Sequence, residues 1–545
     1  MKSSIQMVVL GMALLLMWTP MVMAQPEPPE NPSAIDFISL ITNEGLYTDL
    51  AVLAADDMEG RDTGSEGLRK AAAYLSKRYT EIGVEPVGTS NTYNQYFTLD
   101  KTATHGHAFT LFKRGRLVDT SVLDKDHLAS FISLFNGSNP ASGTIVFAGL
   151  GMFNEEEGIN QYGSDLDGKW IMIFQENGAS NVRQLQQLVG SSGAVGAILI
   201  RDTENDDTFN ESAAAYQSRL GSGGSLTLSY LTNDVGGSTA YVVVNASTAA
   251  SILDVDGYEG LTRYKSELLD NPSLFTPRTL DVSLTYTPQI RKERIKTSNI
   301  AGLIRGTDPF LKNEIVVLSS HYDHVGIGAP DSTGDTIYNG ADDDGSGTVG
   351  ILHTANALIA AKRAGFELKR SVLILHVSGE EKGLLGSRYY SDHPLYSIEN
   401  TIANLNVDMI GRIDPEYQGE EDYIYIIGGS MISSGLDSLI QAANTASVNL
   451  DLNMKFNDLN DPNQFYRRSD HWNFGRLGVP FAFFFNGTHE DYHRPSDHIE
   501  KIDFDALRIR TQLLYTTTLM LANTDERPLV DNQEFIRRTQ ARPRN

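Results

Sequence analysis

Five short apolar runs in the second half of the sequence constrain the fold more than any other feature. Each is apolar at nearly every position rather than at alternate positions, and they cover residues 315–318, 371–377, 405–410, 423–427 and 480–485. Runs of this kind are typical of strands that are buried on both faces of a mostly parallel sheet. A helical pattern at residues 348–361 lies between the first two runs and ends near Gly365. The sequence therefore predicts an α/β fold, in which helices flank a mostly parallel, twisted sheet.

The earlier part of the chain has a different character. Residues 47–82 carry apolar residues at helical spacing. Residues 126–260 instead contain short β-branched or apolar runs at 143–147, 170–173 and 193–200, separated by turns that are rich in glycine and serine. This pattern predicts a β-rich unit that interrupts the helical and α/β parts of the chain.

The first residues of the sequence predict export. Lys2 precedes an unbroken apolar run at residues 7–18, and Ala24 ends a short segment that suits cleavage before Gln25. The run is shorter than the roughly 20 apolar residues that a membrane span needs, so we interpret residues 1–24 as a signal peptide rather than an anchor. A linker rich in proline and glutamate follows at residues 25–34. We expect a secreted or periplasmic protein whose mature form has no membrane span.

The composition excludes several kinds of site. The sequence contains no cysteine, which rules out disulfides, thiolate metal sites and cysteine nucleophiles. Any metal ion would be held by His, Asp and Glu side chains. The formal net charge of −25 also disfavours nucleic acids and anionic membranes as partners, because both carry charge of the same sign.

Side chains that can bind metal ions follow the predicted strands. They lie after the first, second and fifth runs, towards the end of the third run, and in the loop that enters the helix at 348–361. In chain order they are His321, Asp323, Asp342, Asp343, Asp344, Glu380, Glu381, Asp408 and His493. Because ligands of open α/β sheets bind beyond the carboxyl ends of the strands, we expect these side chains to converge at one edge of the sheet.

This set meets the needs of two neighbouring divalent ions. Such a pair needs one carboxylate that both ions share, and about one imidazole and one further carboxylate for each ion. The donors that satisfy this requirement are Asp343, His321, His493, Glu381 and Asp408. Glu380 is then free to act as a general base towards a water molecule. Asp323 is placed to orient the ring of His321.

Five motifs that contain these residues occur in a recognisable order. They read His-Tyr-Asp at 321–323, Gly-Ala-Asp-Asp-Asp-Gly-Ser-Gly at 340–347, Ser-Gly-Glu-Glu-Lys-Gly-Leu-Leu-Gly-Ser at 378–387, Asn-Val-Asp-Met at 406–409 and Asp-Tyr-His at 491–493. In this order they resemble the motifs of the family-28 zinc metallopeptidases of clan MH, which include bacterial leucyl aminopeptidases, aminopeptidase S and glutamate carboxypeptidase. The resemblance extends over residues 40–110 and 285–525.

The resemblance implies a phosphorylase/hydrolase-like α/β core with two Zn²⁺ ions as cofactors. It implies that Asp343 bridges the two ions. His321 and Asp408 would complete one site, and Glu381 and His493 would complete the other.

The resemblance also implies roles for residues that bind no metal. Glu380 corresponds to the general base of the family. Tyr492 resembles a tyrosine that stabilises the tetrahedral oxyanion in some members. Residues 468–471, which read Arg-Ser-Asp-His, resemble a segment that lines the substrate pocket.

The insertion at residues 126–260 resembles a protease-associated (PA) domain, on the segments 143–149, 167–173 and 193–200. It would divide the peptidase domain into two segments and shape access to the site. The expected organisation is a signal peptide at 1–24, a linker at 25–34, peptidase segments at 35–125 and 275–525 around the PA domain at 126–260, and a C-terminal tail at 526–545.

The function that these expectations favour is a secreted aminopeptidase acting on peptide substrates. A carboxypeptidase or a dipeptidase with the same metals stays open. A glutaminyl cyclase-like enzyme or a non-catalytic binding module is disfavoured, because all the metal donors and Glu380 are present. Carboxylate recognition needs fixed cations, and the motifs have few nearby: Arg412, Arg467, Arg468 and Arg494. Acids that suit a substrate ammonium group are abundant there, which favours the amino end.

Overall fold

A computed structural model of the chain describes residues 33–124, 130–135, 139–154, 158–175, 180–201, 205–218, 224–231, 240–417 and 422–539. The predicted signal peptide, most of the predicted linker and the last six residues of the predicted tail lie outside these ranges. In the part of the chain that is described, none of the helices combines the length and the apolarity that a membrane span requires.

The strands, in chain order, are β1 (Glu85–Pro86), β2 (Asn94–Lys113), β3 (Arg116–Leu123), β4 (Phe131–Phe135), β5 (Ala141–Phe147), β6 (Phe153–Asn154), β7 (Ile159–Asn160), β8 (Trp170–Gln175), β9 (Gly196–Arg201), β10 (Ser225–Leu228), β11 (Ala240–Val244), β12 (Arg278–Ile304), β13 (Ile315–His321), β14 (Gly326–Ile327), β15 (Ile337–Tyr338), β16 (Ser371–Val377), β17 (Thr401–Val407), β18 (Tyr423–Gly428), β19 (Asp451–Asn453) and β20 (Phe481–Phe485). The helices are α1 (Asn43–Leu53), α2 (Glu66–Ile82), α3 (Ser180–Ser192), α4 (Asp206–Ser218), α5 (Ala246–Leu253), α6 (Gly257–Asp270), α7 (Gly347–Arg363), α8 (Leu385–Asp392), α9 (Ser434–Ala446), α10 (Trp472–Gly475), α11 (Phe504–Asn523) and α12 (Gln533–Thr539).

Sixteen of these strands form one sheet. Its order is β19-β18-β20-β17-β13-β16-β12-β5-β8-β9-β11-β4, and β1, β2, β3 and β10 pair outside this path. The long strands β2 and β12 pair in antiparallel fashion along most of their length. They connect two parallel cores, β16-β13-β17-β20 and β5-β8-β9-β11. The predicted α/β class, with a mostly parallel sheet flanked by helices, is confirmed.

All five predicted apolar runs form strands, but the third begins and ends earlier than the sequence indicates. It is β17, Thr401–Val407, rather than residues 405–410. It contains two buried asparagines, Asn404 and Asn406, which an apolar pattern does not reveal. Asn404 donates to Ser319 Oγ at 2.8 Å, and Ser319 in turn donates to Asn406 Oδ1 at 2.6 Å. These bonds pair the amide nitrogen of Asn404 and the amide oxygen of Asn406, which helps to keep both residues inside a central strand.

Helices cover both faces of the part of the sheet that contains β13. On one face, Leu50 of α1, Leu75 of α2, Leu352 of α7 and Leu514 of α11 are buried in a single apolar cluster. On the other face, a smaller cluster joins strand residues to Tyr390 of α8 and to α10. The strands at the centre are buried on both sides as a result, which explains why their sequences are apolar throughout.

The inserted segment contains helices as well as the predicted strands. The runs expected at 143–147, 170–173 and 193–200 correspond to β5, β8 and β9, and α3 to α6 accompany them. Leu185 and Val189 of α3, and Phe209 and Ala213 of α4, are buried at a spacing of four residues. The segment is therefore more helical than the predicted β-rich unit. The sequence analysis did not predict these helices, because the glycine- and serine-rich composition of the segment obscures their spacing.

Arg61 joins the first segment of the chain to the edge of the sheet where the strands end. It lies between α1 and α2 and is 2% exposed. Its guanidinium donates to the main-chain oxygens of Leu53, Tyr322, Asn339 and Gly340, at 2.6–3.0 Å. Tyr322 follows β13 directly and Gly340 precedes the loop into α7. One side chain thus fixes α1 relative to two of the loops that carry predicted metal donors.

We expect Arg61→Lys to lower the free energy of unfolding by roughly 3–6 kcal/mol, because an ammonium cannot reach four carbonyls and each buried group left unpaired costs about 1–3 kcal/mol. Denaturant titration followed by circular dichroism measures the change. Arg69→Lys, at a side chain that is 60% exposed, is the matched control and should stay within about 0.5 kcal/mol of the wild type. Equal effects of the two substitutions would contradict this role for Arg61.

Candidate metal centre

The predicted metal donors lie at the carboxyl ends of neighbouring parallel strands. His321 is the last residue of β13, Asp408 follows β17 directly, and Glu381 follows β16 after a short turn. Asp343 lies in the loop Ala341–Ser346 that enters α7, and His493 lies in the segment after β20. The sheet therefore brings all five residues together, as their positions after the predicted strands indicated.

The first group of donors consists of His321, Asp343 and Asp408. Nε2 of His321 lies 3.2 Å from Asp343 Oδ1 and 3.6 Å from Asp408 Oδ1. All three residues are buried. Zinc binds imidazole nitrogens and carboxylate oxygens at about 2.0–2.2 Å, which separates two ligand atoms of a tetrahedral site by about 3.3–3.6 Å. The observed distances fit a shared ion.

The second group uses the other oxygen of Asp343. Nε2 of His493 lies 3.1 Å from Asp343 Oδ2 and 3.0 Å from Glu381 Oε2. A third imidazole, which the sequence analysis did not assign, is also present: Nδ1 of His324 lies 2.9 Å from Glu381 Oε1 and 3.8 Å from Asp343 Oδ2. The position of His324 three residues after His321 was the signal that could have identified it.

Several of these polar atoms have no hydrogen-bond partner among the described residues, although they are buried. They are Asp343 Oδ2, Glu381 Oε1, His324 Nδ1 and His493 Nε2. A buried polar atom without a partner costs free energy. Four such atoms from one group of donors, two anionic and two imidazole, fit a cation held between them.

The two neighbours of Asp343 have structural roles instead. Oδ1 of Asp344 accepts from the main-chain N–H of Gly347 at 3.0 Å and of Met409 at 3.2 Å, and its Oδ2 accepts from that of His321 at 3.0 Å. Asp342 accepts from the main-chain N–H of Gly411 at 2.7 Å. These two aspartates tie the loop to the ends of the strands, and only the central one faces both groups of donors.

Close packing requires glycine on each side of these aspartates. Gly340 has a φ of 58°, and a Cβ there would lie 2.3 Å from the main-chain oxygen of Asp343. A Cβ on Gly347 would lie 2.3 Å from Oδ1 of Asp344. Larger residues would displace the very carboxylates that form and support the site.

Asp323 supports two of the predicted functional residues. Its main-chain oxygen lies 3.0 Å from His321 Nδ1, which leaves Nε2 directed at the donors. Its carboxylate is 4.0 Å from that ring and instead accepts from the main-chain N–H of Glu380 at 3.2 Å and from Thr63 Oγ1 at 2.8 Å. Asp323 therefore orients His321 through its backbone and positions Glu380 through its side chain.

The Arg-Ser-Asp-His segment at 468–471 also supports the donors. Ser469 Oγ donates to Asp408 Oδ2 at 2.7 Å and accepts from Asn406 Nδ2 at 3.0 Å. This leaves Oδ1 of Asp408 facing His321. The ring of His471 stacks on that of Phe483, with centroids 4.7 Å apart, and burial lowers its pKa to about 3. His471 is thus a neutral packing residue.

Burial and crowding control the charges at the centre. Burial, assisted by the neighbouring acids Glu381 and Asp470, raises the pKa of Glu380 well above its usual range. Burial likewise raises the pKa of Asp470 to about 7. Burial also opposes ionisation of Asp343, but the imidazoles around it outweigh this effect and hold its pKa well below the usual range. Cations bound at the site would favour the charged forms of these carboxylates.

A cavity opens beside the first group of donors. His321, Asp343, Glu380 and Asp408 line one side of it. The rest of its wall is largely apolar and includes Met409, Phe465, Phe483, Phe485 and Tyr492, with Arg468 also present. The ring of Tyr492 stacks on His493 with centroids 3.9 Å apart, and burial raises its pKa, so the phenol stays protonated and can donate a hydrogen bond.

Known proteins resemble the chain over this region. The sequence model of peptidase family M28 matches residues 299–518. Leucine aminopeptidase 1 of Penicillium rubens is 30% identical over 203 residues, which are 36% of this chain and 50% of that relative. Aminopeptidase Y of Saccharomyces cerevisiae is 27% identical over 259 residues, which are 45% of this chain and 43% of that protein. The chain spans about half the length of the curated relatives it matches.

A solved structure extends the likeness to nearly the whole chain. The aminopeptidase from Aneurinibacillus sp. strain AM-1 aligns over 94% of this chain and 99% of that chain, with a TM-score of 0.51 and 17% identity. At that identity the comparison concerns the fold alone. The residues that match the model of peptidase family M28 contain both groups of donors and Glu380.

Proposed function

We propose that the chain is a secreted aminopeptidase that uses two zinc ions to hydrolyse the N-terminal residue from peptides. One observation carries the proposal: two groups of donors share the two oxygens of Asp343, and the first group lies beside Glu380 at the wall of a cavity. The names of the curated relatives, leucine aminopeptidase and aminopeptidase Y, support the same reaction.

The donors divide between the two ions as follows. His321, Asp343 and Asp408 would hold the first, and Asp343, Glu381 and His493 would hold the second. Zinc ions bound there supply Lewis-acid polarisation of the peptide carbonyl and make a water molecule more acidic.

Glu380 is the general base of this proposal. Its main-chain N–H is fixed by Asp323, and its side chain lines the cavity next to His321. The carboxylate takes a proton from the attacking water and returns it to the leaving amine. Tyr492 lines the same cavity with a neutral phenol, which can donate a hydrogen bond to the developing oxyanion.

Charge and shape favour a substrate with a free amino group and an apolar first residue. The carboxylates at the cavity suit an ammonium group, and the aromatic wall formed by Phe465, Phe483 and Phe485 suits an apolar side chain. Arg412 is occupied by an ion pair with Asp491 at 3.0 Å. Such a pair removes one of the few cations that could recognise a C-terminal carboxylate.

A dipeptidase or carboxypeptidase is the second candidate. Arg468 lines the cavity and stacks on Phe465, with its guanidinium carbon 4.9 Å from the ring centroid. A guanidinium in that position could pair with a substrate carboxylate. The orientation of the peptide therefore needs its own test.

Two further parts of the proposal concern the rest of the chain. Residues 126–260 would act as a PA-type insertion that shapes access to the cavity, which the three strand-forming segments named above support. The pattern at residues 1–24 supports export, with cleavage before Gln25.

Removal of metal should abolish hydrolysis of leucyl-anilide, and zinc should restore it, because the donors alone cannot polarise the carbonyl. Activity measured after dialysis against a chelator, together with the zinc content by elemental analysis, checks this expectation. Full activity in protein that contains no metal would contradict the proposal.

Glu380→Gln should lower kcat by about 10²–10⁴-fold while the zinc content stays at the wild-type level, because the amide cannot accept a proton. Glu381→Gln, the matched neighbour, should lower both the activity and the zinc content, because it replaces a ligand. Steady-state kinetics and elemental analysis of both variants separate the two roles. Equal zinc loss in the two would show that the assignment of base and ligand is wrong.

N-acetylation of a leucyl peptide should reduce its rate of cleavage to background, because the acetylated nitrogen cannot carry the charge that the acidic site recognises. Amidation of the C-terminus should change the rate little. The comparison uses one peptide in its free, acetylated and amidated forms, with products identified by mass spectrometry. The opposite result, with the amidated peptide resistant and the acetylated one cleaved, would favour the second candidate and a role for Arg468.

A further inference from the structure

We propose that His324 is a fourth protein ligand of the second zinc ion, in addition to Asp343, Glu381 and His493. This inference rests on the proposed function, since it concerns the same pair of ions. It makes the two sites unequal: the first has three protein donors and adjoins the cavity, whereas the second has four.

The position of His324 fits a ligand. Its Nδ1 lies 2.9 Å from Glu381 Oε1 and 3.8 Å from Asp343 Oδ2. These three donor atoms lie within 4.8 Å of one another, as do those of His321, Asp343 and Asp408. The ring of His324 is also near that of His493, with centroids 5.7 Å apart. The imidazoles thus approach the same pair of carboxylates from two directions.

The contacts of His324 favour a bound ion over a hydrogen bond. The residue is fully buried, and neither ring nitrogen has a hydrogen-bond partner among the described residues. Glu381 Oε1, the nearest acceptor, also has none, so the 2.9 Å approach lacks hydrogen-bond geometry. A buried imidazole and a carboxylate that face each other without a hydrogen bond suit a cation that both of them coordinate.

The surrounding backbone holds the ring in this position. The main-chain N–H of His324 donates to the main-chain oxygen of Arg61 at 3.1 Å. The ring lies against Gly340, where a Cβ would come within 2.6 Å of its Cγ and Cδ2. The fold therefore excludes a side chain at position 340 and leaves the ring space beside Glu381.

The test combines metal binding with a direct count of the ligands. Zinc titration of the metal-free full-length chain, in competition with a chromophoric chelator, measures the affinities of both ions in the wild type and in His324→Ala and His324→Gln. His498→Ala is the control, because it removes a partly exposed imidazole that lies beside Asp335. X-ray absorption spectroscopy of the wild-type zinc protein counts the imidazoles bound to the two ions and needs no variant to fold.

We expect three imidazoles shared by two ions in the wild type. In both His324 variants the second ion should bind about 10–100-fold more weakly or worse. Replacing a residue that only hydrogen-bonds a ligand already causes a loss of this size. The first ion should keep its affinity. His498→Ala should match the wild type. Circular dichroism of the metal-free variants checks that they are folded.

Two results would overturn the inference and leave the proposed function intact. One is a wild type with two ions and only two imidazoles, which would make His324 a neighbour of Glu381 rather than a ligand. The other is an unchanged affinity for the second ion in folded His324 variants. A wild type that binds fewer than two zinc ions would instead overturn the two-zinc proposal itself.

Discussion

The concentration of buried negative charge at one edge of the sheet is the constraint on which the rest of the structure depends. Seven aspartates lie there with at most 8% exposure: Asp323, Asp342, Asp343, Asp344, Asp408, Asp470 and Asp497. Removing carboxylates from water is costly unless cations or hydrogen bonds compensate. Arg61 is a fully buried cation near four of these aspartates. Burial lowers the pKa of Arg61, and the four carboxylates oppose this effect. Metal ions at the two donor groups would supply the charge that one arginine cannot.

The same acids also build the loops that present the ligands. Asp344 accepts from three main-chain N–H groups that belong to β13, to the start of α7 and to the turn after β17. Asp497 accepts from the main-chain N–H of Asp342 and Asp343. Irregular backbone can be buried only when its polar groups are paired, and here the carboxylates pair them. The hydrogen bonds that stabilise the buried acids therefore also fix the positions of the metal donors.

The sequence predicted those features that follow from strand ends and from spacing within motifs. The class of fold and the approximate positions of the five main strands follow from the apolar runs. The convergence of His321, Asp343 and Asp408 follows from the carboxyl-end rule for parallel sheets. Arg61 could not be found in this way, because its role depends on how loops distant in sequence fold together. Arg61 is more than 250 residues from each of the five functional motifs, and nothing in its local sequence indicates burial. Asn404 was missed for a related reason, since its partner Ser319 on β13 makes it tolerable in a central strand.

The cavity is lined mainly by one of the two donor groups, so a bound substrate would contact the two groups unequally. The cavity is lined by all three members of the first group and by Glu380, but by neither Glu381 nor either of the two imidazoles that face it. A substrate in the cavity would therefore meet the first group and the general base together. Of the second group, only the shared Asp343 lines that space. The imidazole of His324 lies against Glu381 and the shared Asp343, and it can hold both carboxylates in position beside the first group.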